Sequence, residues 1–268
     1  MQAIFILSTG RCGTQWIASE LGRAFPELHV AHEPLRNEYF PRRMLSAKTP
    51  LALDPAFAEG IQEHTAAIER TINSKRYLEC GHPCWSTIPY FAQRFPGKVG
   101  VVHLVRHPVA TAFSWLTHMA YQPPLEPYIP EKVLLSPFDA GVRFPQYQEL
   151  WPAMSPFEKA LYYWMEVNTF GLEQREALSV PWCTITYEDL FQGPGLEELL
   201  SFLRLPAKES LTASIDKSVD NYRFLTAQAP DLHLVARHPE VLATAARFGY
   251  EARSFEAAPM TRRYTGRG

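Results

Sequence analysis

Residues 3–16 read AIFILSTGRCGTQW: five apolar residues, a turn that holds Gly10, Arg11 and Gly13, and then the start of a helix that we expect to run from about Thr14 to Phe25. A short, continuous apolar run of this kind is typical of a strand buried on both faces. A glycine turn between a strand and a helix presents backbone N–H groups and the positive end of the helix dipole to an anion. The stretch therefore predicts an α/β fold with an anion-binding loop near its amino end.

The same strand-then-helix pattern recurs twice. The apolar run 99–104 is followed by a helix from Pro108, and the run 182–186 is followed by a helix around 196–203. These units predict a three-layer α/β/α fold with a central, mostly parallel sheet, similar to P-loop nucleotide kinases. In such sheets, ligands bind beyond the carboxyl ends of the strands. We also expect a surface helix over 61–72 and, over 77–83, a short strand that runs into a turn.

A proline-rich segment interrupts this pattern. Eight prolines lie between Pro123 and Pro156, interleaved with aromatic residues such as Tyr147 and Trp151. Proline removes a backbone donor, so no long regular element is expected here. We predict one domain over 1–268 with an insertion or lid at about 117–157 that covers the acceptor site. The alternative is a structural loop that covers one end of the sheet.

The composition limits the class of partner and the cellular compartment. Lys and Arg total 26 against 28 Asp and Glu, so the 268-residue chain has no electrostatic signature of nucleic-acid binding. The first apolar run is far shorter than the roughly 20 residues of a membrane span, and no charged segment of a signal peptide precedes it. We therefore expect a cytoplasmic protein whose four cysteines are reduced thiols.

The glycine loop departs from the best-known phosphate-binding patterns. A triphosphate P-loop needs a lysine and a Ser or Thr after its last glycine, whereas Thr14 and Gln15 follow Gly13. The spacing of Gly10 and Gly13 also differs from a dinucleotide fingerprint. Arg11, at the centre of the loop, is instead a fixed cation with a planar donor fork, suited to a phosphate or a sulfonate.

Residues 9–16, TGRCGTQW, resemble the 5′-phosphosulfate loop of sulfotransferases that use 3′-phosphoadenosine-5′-phosphosulfate (PAPS). Arg11, Gly13, Thr14 and Trp16 match the family pattern, whereas Cys12 and Gln15 replace its usual hydroxyl residues. The resemblance implies PAPS as the donor, 3′,5′-adenosine bisphosphate (PAP) as the product, and no metal. It also implies a donor-binding loop formed by Thr9, Gly10, Arg11, Cys12, Gly13, Thr14, Gln15 and Trp16, with Trp16 near the adenine.

Two further motifs follow in the family's order. Residues 101–114, VVHLVRHPVATAFS, resemble the 3′-phosphate motif, in which Arg106 ends a strand and Ser114 follows eight positions later. Residues 186–190, TYEDL, resemble a segment whose tyrosine, here Tyr187, lies by the adenine. Near the carboxyl end, 220–223 resembles a segment that closes over the nucleotide. The family's Arg-x-x-Gly signature is absent there, and Lys217 or Arg223 is a candidate for a further phosphate contact in its place.

Sulfuryl transfer also needs a base for the acceptor's proton, because the acceptor oxygen must lose it. His82 matches the catalytic histidine of cytosolic family members, and Glu33, in a Glu-Pro pair, matches the carboxylate base of other branches. The sequence leaves both open. The implied activity is transfer to a hydroxyl, or less favourably an amine, of a small-molecule, glycan or lipid acceptor. The alternatives are a P-loop kinase-like phosphotransferase and a non-catalytic nucleotide-binding protein.

Overall fold

The centre of the fold is a parallel β-sheet. A computed structural model of the protein describes residues 1–35, 40–124, 127–208, 211 and 231–256. In these residues the sheet consists of β1 (Ala3–Leu7), β2 (Leu28–His32), β3 (Arg76–Cys80), β4 (Val99–Val105) and β5 (Trp182–Thr186). The spatial order is β2-β3-β1-β4-β5, and all four neighbouring pairs are parallel. The predicted α/β class with a parallel central sheet is confirmed.

Helices connect the strands and continue beyond them. The helices of the described residues are α1 (Thr14–Ala24), α2 (Phe40–Ala47), α3 (Pro55–Ile72), α4 (Ile88–Arg94), α5 (Pro108–Leu116), α6 (Pro156–Ala177), α7 (Tyr187–Gln192), α8 (Gly195–Leu203), α9 (Leu232–Val235) and α10 (Pro239–Ala246). Short 3-10 turns occupy 50–52, 82–87, 145–148, 151–153 and 252–254. The helices expected after the first and second apolar runs are α1 and α5.

Successive side chains of β1 point to opposite faces of the sheet, so the core has two layers. Ile4 and Ile6 pack into a fully buried cluster with Ile17 of α1 and Leu199 of α8. On the opposite face, the ring of Phe5 stacks on Phe91 of α4 at 4.7 Å. Burial of side chains of this size contributes roughly 1.5–3 kcal/mol each. These contacts hold β1 between helical layers and so fix the start of the glycine loop that follows it.

β2 and α6 are among the elements that were not predicted, and both contribute to the core of the fold or to its edge. β2 is an edge strand in which only Leu28 is buried, so it lacks a continuous apolar run. The middle of α6, from Ala160 to Asn168, is buried on every side. A helix surrounded in this way has no polar stripe, and its sequence lacks the amphipathic period that identifies a surface helix.

The chain forms two compact units. The sheet unit contains Met1–Val105 and Phe170–Ile215, and the helical unit contains Arg106–Thr169 and Asp216–Gly268. The sheet unit holds all five strands. The segment 117–157, which the sequence predicted to be an insertion or lid, belongs to the helical unit.

A buried carboxylate, that of Glu166, organises the helical unit. Glu166 of α6 is fully buried and accepts hydrogen bonds from the N–H groups of Arg143 and Phe144 at 2.9 and 2.8 Å. It also accepts a bond from the Tyr162 hydroxyl at 2.9 Å. Burial raises the pKa of Glu166 despite these donors. Because an unpartnered buried carboxylate is costly, this network ties the proline-rich segment to α6.

None of the helices in the described part of the chain is long and apolar enough to cross a membrane.

Candidate active site

The glycine loop has an unusual backbone. Gly10, Arg11 and Gly13 all have positive φ angles, of 72°, 61° and 88°. Arg11 is the only one of the three with a side chain, and an L-residue in this region costs about 1–2 kcal/mol relative to the right-handed region. A turn in which left-handed residues alternate with ordinary ones can point successive backbone N–H groups to one side, which is the geometry of a concave anion site.

Bonds inside the loop maintain that shape. The N–H of Gly10 donates to Ser8 Oγ at 3.1 Å. The carbonyl of Gly10 accepts from Thr9 Oγ1 at 3.0 Å and from Cys12 Sγ at 3.1 Å. Cys12 is fully buried, so its thiol serves the loop itself, and its contribution to a ligand would come from its backbone.

The loop ends at the first turn of α1. Gly13 is the N-cap residue, and the first backbone bond of the helix runs from the N–H of Ile17 to the carbonyl of Gly13 at 3.1 Å. The N–H groups of Thr14, Gln15 and Trp16 therefore precede the helical ladder. Together with the charge of Arg11, these donors fit the anionic phosphosulfate of the donor that the sequence implies.

Glu33 and His82 meet at the carboxyl ends of β2 and β3. His82 Nδ1 lies 3.1 Å from Glu33 Oε1, although the residues are 49 positions apart in the chain. The side chain of Glu33 is 34% exposed and that of His82 is 9% exposed. Since Nε2 of His82 is buried, the accessible group of the pair is the carboxylate.

Glu33 is held in a strained conformation by Gly81. Its φ angle is +47°, and its N–H donates to the carbonyl of Cys80 at 2.9 Å. Gly81 has a φ of +149°, and a Cβ at that position would lie 2.5 Å from Glu33 Cγ. A side chain at position 81 would therefore displace the carboxylate. Strain of this kind persists where the surrounding structure enforces it, and it concentrates at functional sites.

The charges around Glu33 keep it ionised. Burial raises the pKa of Glu33, but the hydrogen bond from His82 and the charges of His82, His32 and Arg11 outweigh it, so that the pKa lies below its ordinary value. Burial lowers the pKa of His32, and the carboxylate of Glu33 partly opposes this. The sheet unit thus brings Arg11, Glu33 and His82 into one electrostatic group.

An aromatic cluster lies beside the glycine loop. The ring of Phe191 from α7 contacts Trp16 edge-on at 5.1 Å and Tyr187 at 4.7 Å. A Cβ on Gly13 would lie 2.9 Å from the Phe191 ring. The two aromatic residues that the sequence associated with the adenine are therefore joined by a third, and all three are partly exposed.

Arg106 and Ser114 belong to the helical unit. Arg106 is 7% exposed and follows the last residue of β4, and its carbonyl accepts a bond from Trp164 Nε1 at 2.8 Å. Ser114 is fully buried on α5. Lys217 and Arg223, the candidates for a further phosphate contact, lie outside the described residues. Across the ranges that the structure describes, no group of three or more His, Cys, Asp or Glu residues could hold a metal ion.

Sequence reasoning missed three residues of this arrangement: Gly81, His32 and Phe191. A glycine just after a strand and before His82 was an available signal for close backbone approach. His32 and Phe191 carry no motif, and their positions follow from the packing of the strand ends and of α7.

Comparisons with known proteins agree with the fold. No protein-family model and no curated protein matches the chain. Among solved structures, a sulfotransferase from Alicyclobacillus acidocaldarius matches with a TM-score of 0.56 and 14% identity, over 92% of this chain and 96% of that one. The chain has the sulfotransferase fold.

Two other structures with the sulfotransferase fold match equally widely. They are the sulfotransferase domain of the curacin biosynthetic pathway and that of the Synechococcus PCC 7002 olefin synthase, each with a TM-score of 0.50 and 17% identity. The matches cover 92% and 93% of this chain, and 97% and 94% of the other chains. Because function belongs to sites rather than to folds, identities this low leave the activity to be argued from the residues.

Proposed function

We propose that the protein is a PAPS-dependent sulfotransferase that transfers the sulfuryl group to a hydroxyl of a small-molecule, glycan or lipid acceptor. Amines form a second class of acceptor. The observation that carries the proposal is the hydrogen-bonded pair of Glu33 and His82, whose carboxylate also interacts electrostatically with Arg11 of the glycine loop. The sulfotransferase fold supports it independently.

In this proposal the glycine loop binds the phosphosulfate. Arg11 and the N–H groups of the first turn of α1 stabilise the negative charge that develops on the leaving phosphate oxygen. Hydrogen bonds inside the loop hold its backbone before a ligand binds, so in this proposal little reorganisation would accompany the reaction. The absence of a lysine after Gly13 argues against a nucleoside triphosphate in the same place.

We assign the base to Glu33 and a positioning role to His82. The carboxylate is the exposed member of the pair, and the hydrogen bond from Nδ1 of His82 orients it. As the acceptor oxygen bonds to sulfur, the bond between sulfur and the phosphate oxygen breaks, and the acceptor proton passes to Glu33. The products are the sulfate ester and PAP.

The other donor contacts follow the sequence motifs. Trp16 and Tyr187, with Phe191 between them, offer aromatic surface to the adenine. Arg106 and Ser114 are assigned to the 3′-phosphate, for which a bidentate guanidinium and a hydroxyl are suitable donors.

Nucleotide binding separates this proposal from its alternatives. We expect PAP to raise the thermal midpoint more than ATP or GTP with magnesium, because a ligand at a hundred times its Kd stabilises a protein by about 2.7 kcal/mol. Stabilisation by ATP and magnesium alone would indicate a kinase-like protein. Binding of PAP without turnover of PAPS on a broad acceptor panel would indicate a non-catalytic binding protein.

Substitution of the two candidate bases tests the assignment of Glu33. We expect Glu33→Gln to lower kcat by about 10²–10⁴-fold while PAP binding is retained, since general base catalysis is of that size. His82→Ala should have a smaller effect, because it removes orientation and leaves the carboxylate. Glu69→Gln, at an exposed ion pair with Arg94, is the matched control and should not change kcat. The opposite ranking of Glu33 and His82 would make the histidine the base.

A further inference from the structure

His107 caps the helix that begins directly after Arg106. Its Nδ1 accepts a hydrogen bond from the N–H of Val109 at 3.2 Å. Pro108, the first residue of α5, has no N–H, so the donor of Val109 is the first that needs a partner outside the helical ladder. The backbone carbonyl of His107 accepts from Thr111 at 3.0 Å and begins that ladder. One residue therefore determines where α5 starts.

The other side of the His107 ring is held by the segment 250–255. Phe255 stacks on it at 4.6 Å with an interplanar angle of 26°, and Tyr250 meets it edge-on at 5.2 Å. The backbone of Glu251 also interacts with the ring and acts to raise its pKa. Since Nδ1 accepts from the N–H of Val109, the neutral ring carries its proton on Nε2. Tyr250 and Phe255 thus hold the ring in the position from which this tautomer caps α5.

The same turn fixes the main chain of Arg106. Its carbonyl accepts from Trp164 Nε1 at 2.8 Å on one side and lies 3.5 Å from Thr111 Oγ1 on the other. The residue is 7% exposed, so its side chain has little freedom. Burial, followed by the positive charge of Arg106, lowers the pKa of His107 to about 4, against the opposing effect of the Glu251 backbone. The ring therefore stays neutral near pH 7.

We propose that His107 is a positioning residue for donor recognition, which holds Arg106 in the orientation that binds the 3′-phosphate and is itself held by Tyr250 and Phe255. The inference rests on the proposed function, because it takes the 3′-phosphate as the ligand of Arg106. In this proposal the segment 250–255 contributes to donor recognition, because it holds the residue that positions Arg106.

The test compares two nucleotides that differ only in the 3′-phosphate. Calorimetry would measure the Kd of PAP and of 5′-AMP for the full chain and for His107→Ala, His107→Asn and Phe255→Leu. We expect His107→Ala to weaken PAP about tenfold, the scale of a lost cap, while 5′-AMP binding stays the same. His107→Asn should recover most of the loss, since asparagine also caps helices.

Asp231→Ala is the matched control. Asp231 caps α9 in the same unit, where its Oδ1 accepts from the N–H of His233 at 2.9 Å. Its loss should leave the ratio of the two dissociation constants unchanged. An unchanged ratio in both His107→Ala and Phe255→Leu would overturn the inference, and if His107→Ala does not fold, Phe255→Leu alone decides it. A native protein without any preference for PAP over 5′-AMP would instead contradict the proposed function.

Discussion

The glycine loop of the sheet unit and the Arg106 turn of the helical unit are both candidate phosphate sites, but they are built from different groups. The glycine loop relies on backbone N–H groups, presented by residues with positive φ angles. The Arg106 turn relies on a buried guanidinium whose main chain is held by Trp164 and by the capped α5. The first site is therefore sensitive to any added Cβ, and the second to loss of particular side chains.

Arg106→Ala should have the largest effect on nucleotide binding. Removal of a buried, bidentate cation is expected to weaken PAP about a hundredfold. Binding of 5′-AMP should change little, because it lacks the group that Arg106 is proposed to bind. Calorimetry with both nucleotides measures the difference, and Arg94→Ala, at an exposed ion pair, serves as control. Equal losses for both nucleotides would show that Arg106 does not distinguish the 3′-phosphate.

Gly13→Ala should come next and tests the glycine loop. Ala at a φ of +88° is strained, and its Cβ would press on the Phe191 ring. We expect about tenfold weaker binding of PAP and 5′-AMP alike, since both depend on the loop. Gly97→Ala is the matched control, because Gly97 has a φ of +70° and no atom within 4 Å of the added Cβ. It should lose about 1–2 kcal/mol of unfolding free energy from strain alone and bind both nucleotides normally.

The smallest effect concerns the pH dependence of the Arg106 turn. The pKa of His107 lies at about 4 in the folded chain and at 6.5 ordinarily. Between these values the unfolded chain binds a proton that the folded chain excludes, so stability falls as the pH is lowered from 6.5 towards 4. The contribution is about 1–2 kcal/mol, because solvent screens part of the full shift.

Urea unfolding at pH 7 and pH 5 measures this term. The native protein should lose more free energy of unfolding between the two pH values than His107→Asn, which has no titrating ring. Arg106 and the Glu251 backbone, the groups that face His107, remain in both proteins. Identical losses in the two proteins would mean that His107 is not held neutral by its surroundings.

Helices and strands could be predicted where a local sequence pattern causes them, and were missed where tertiary packing does. β1 and β4 were predictable because each is a continuous apolar run, whereas the edge strand β2 mixes buried and exposed residues. α6 was missed because burial on every side removes the helical period. The motifs predicted candidate site residues such as Arg11 and Arg106. Gly81, Phe191 and the His107 cap could not be predicted in this way, because they depend on contacts between distant segments.

The sequence by itself determined the strand, loop and helix of residues 3–24, because an apolar run, two glycines and a helical pattern act within a few residues of one another. The sequence also identified Glu33 and His82 as the two candidate bases, but it could not decide between them. Only the tertiary structure decided that β2 and β3 pair in parallel with His32 opposite Cys80, which brings Glu33 against Gly81 and His82. Exposure of a carboxylate and burial of an imidazole are properties of that packing, so no local pattern could encode which of the two side chains is accessible.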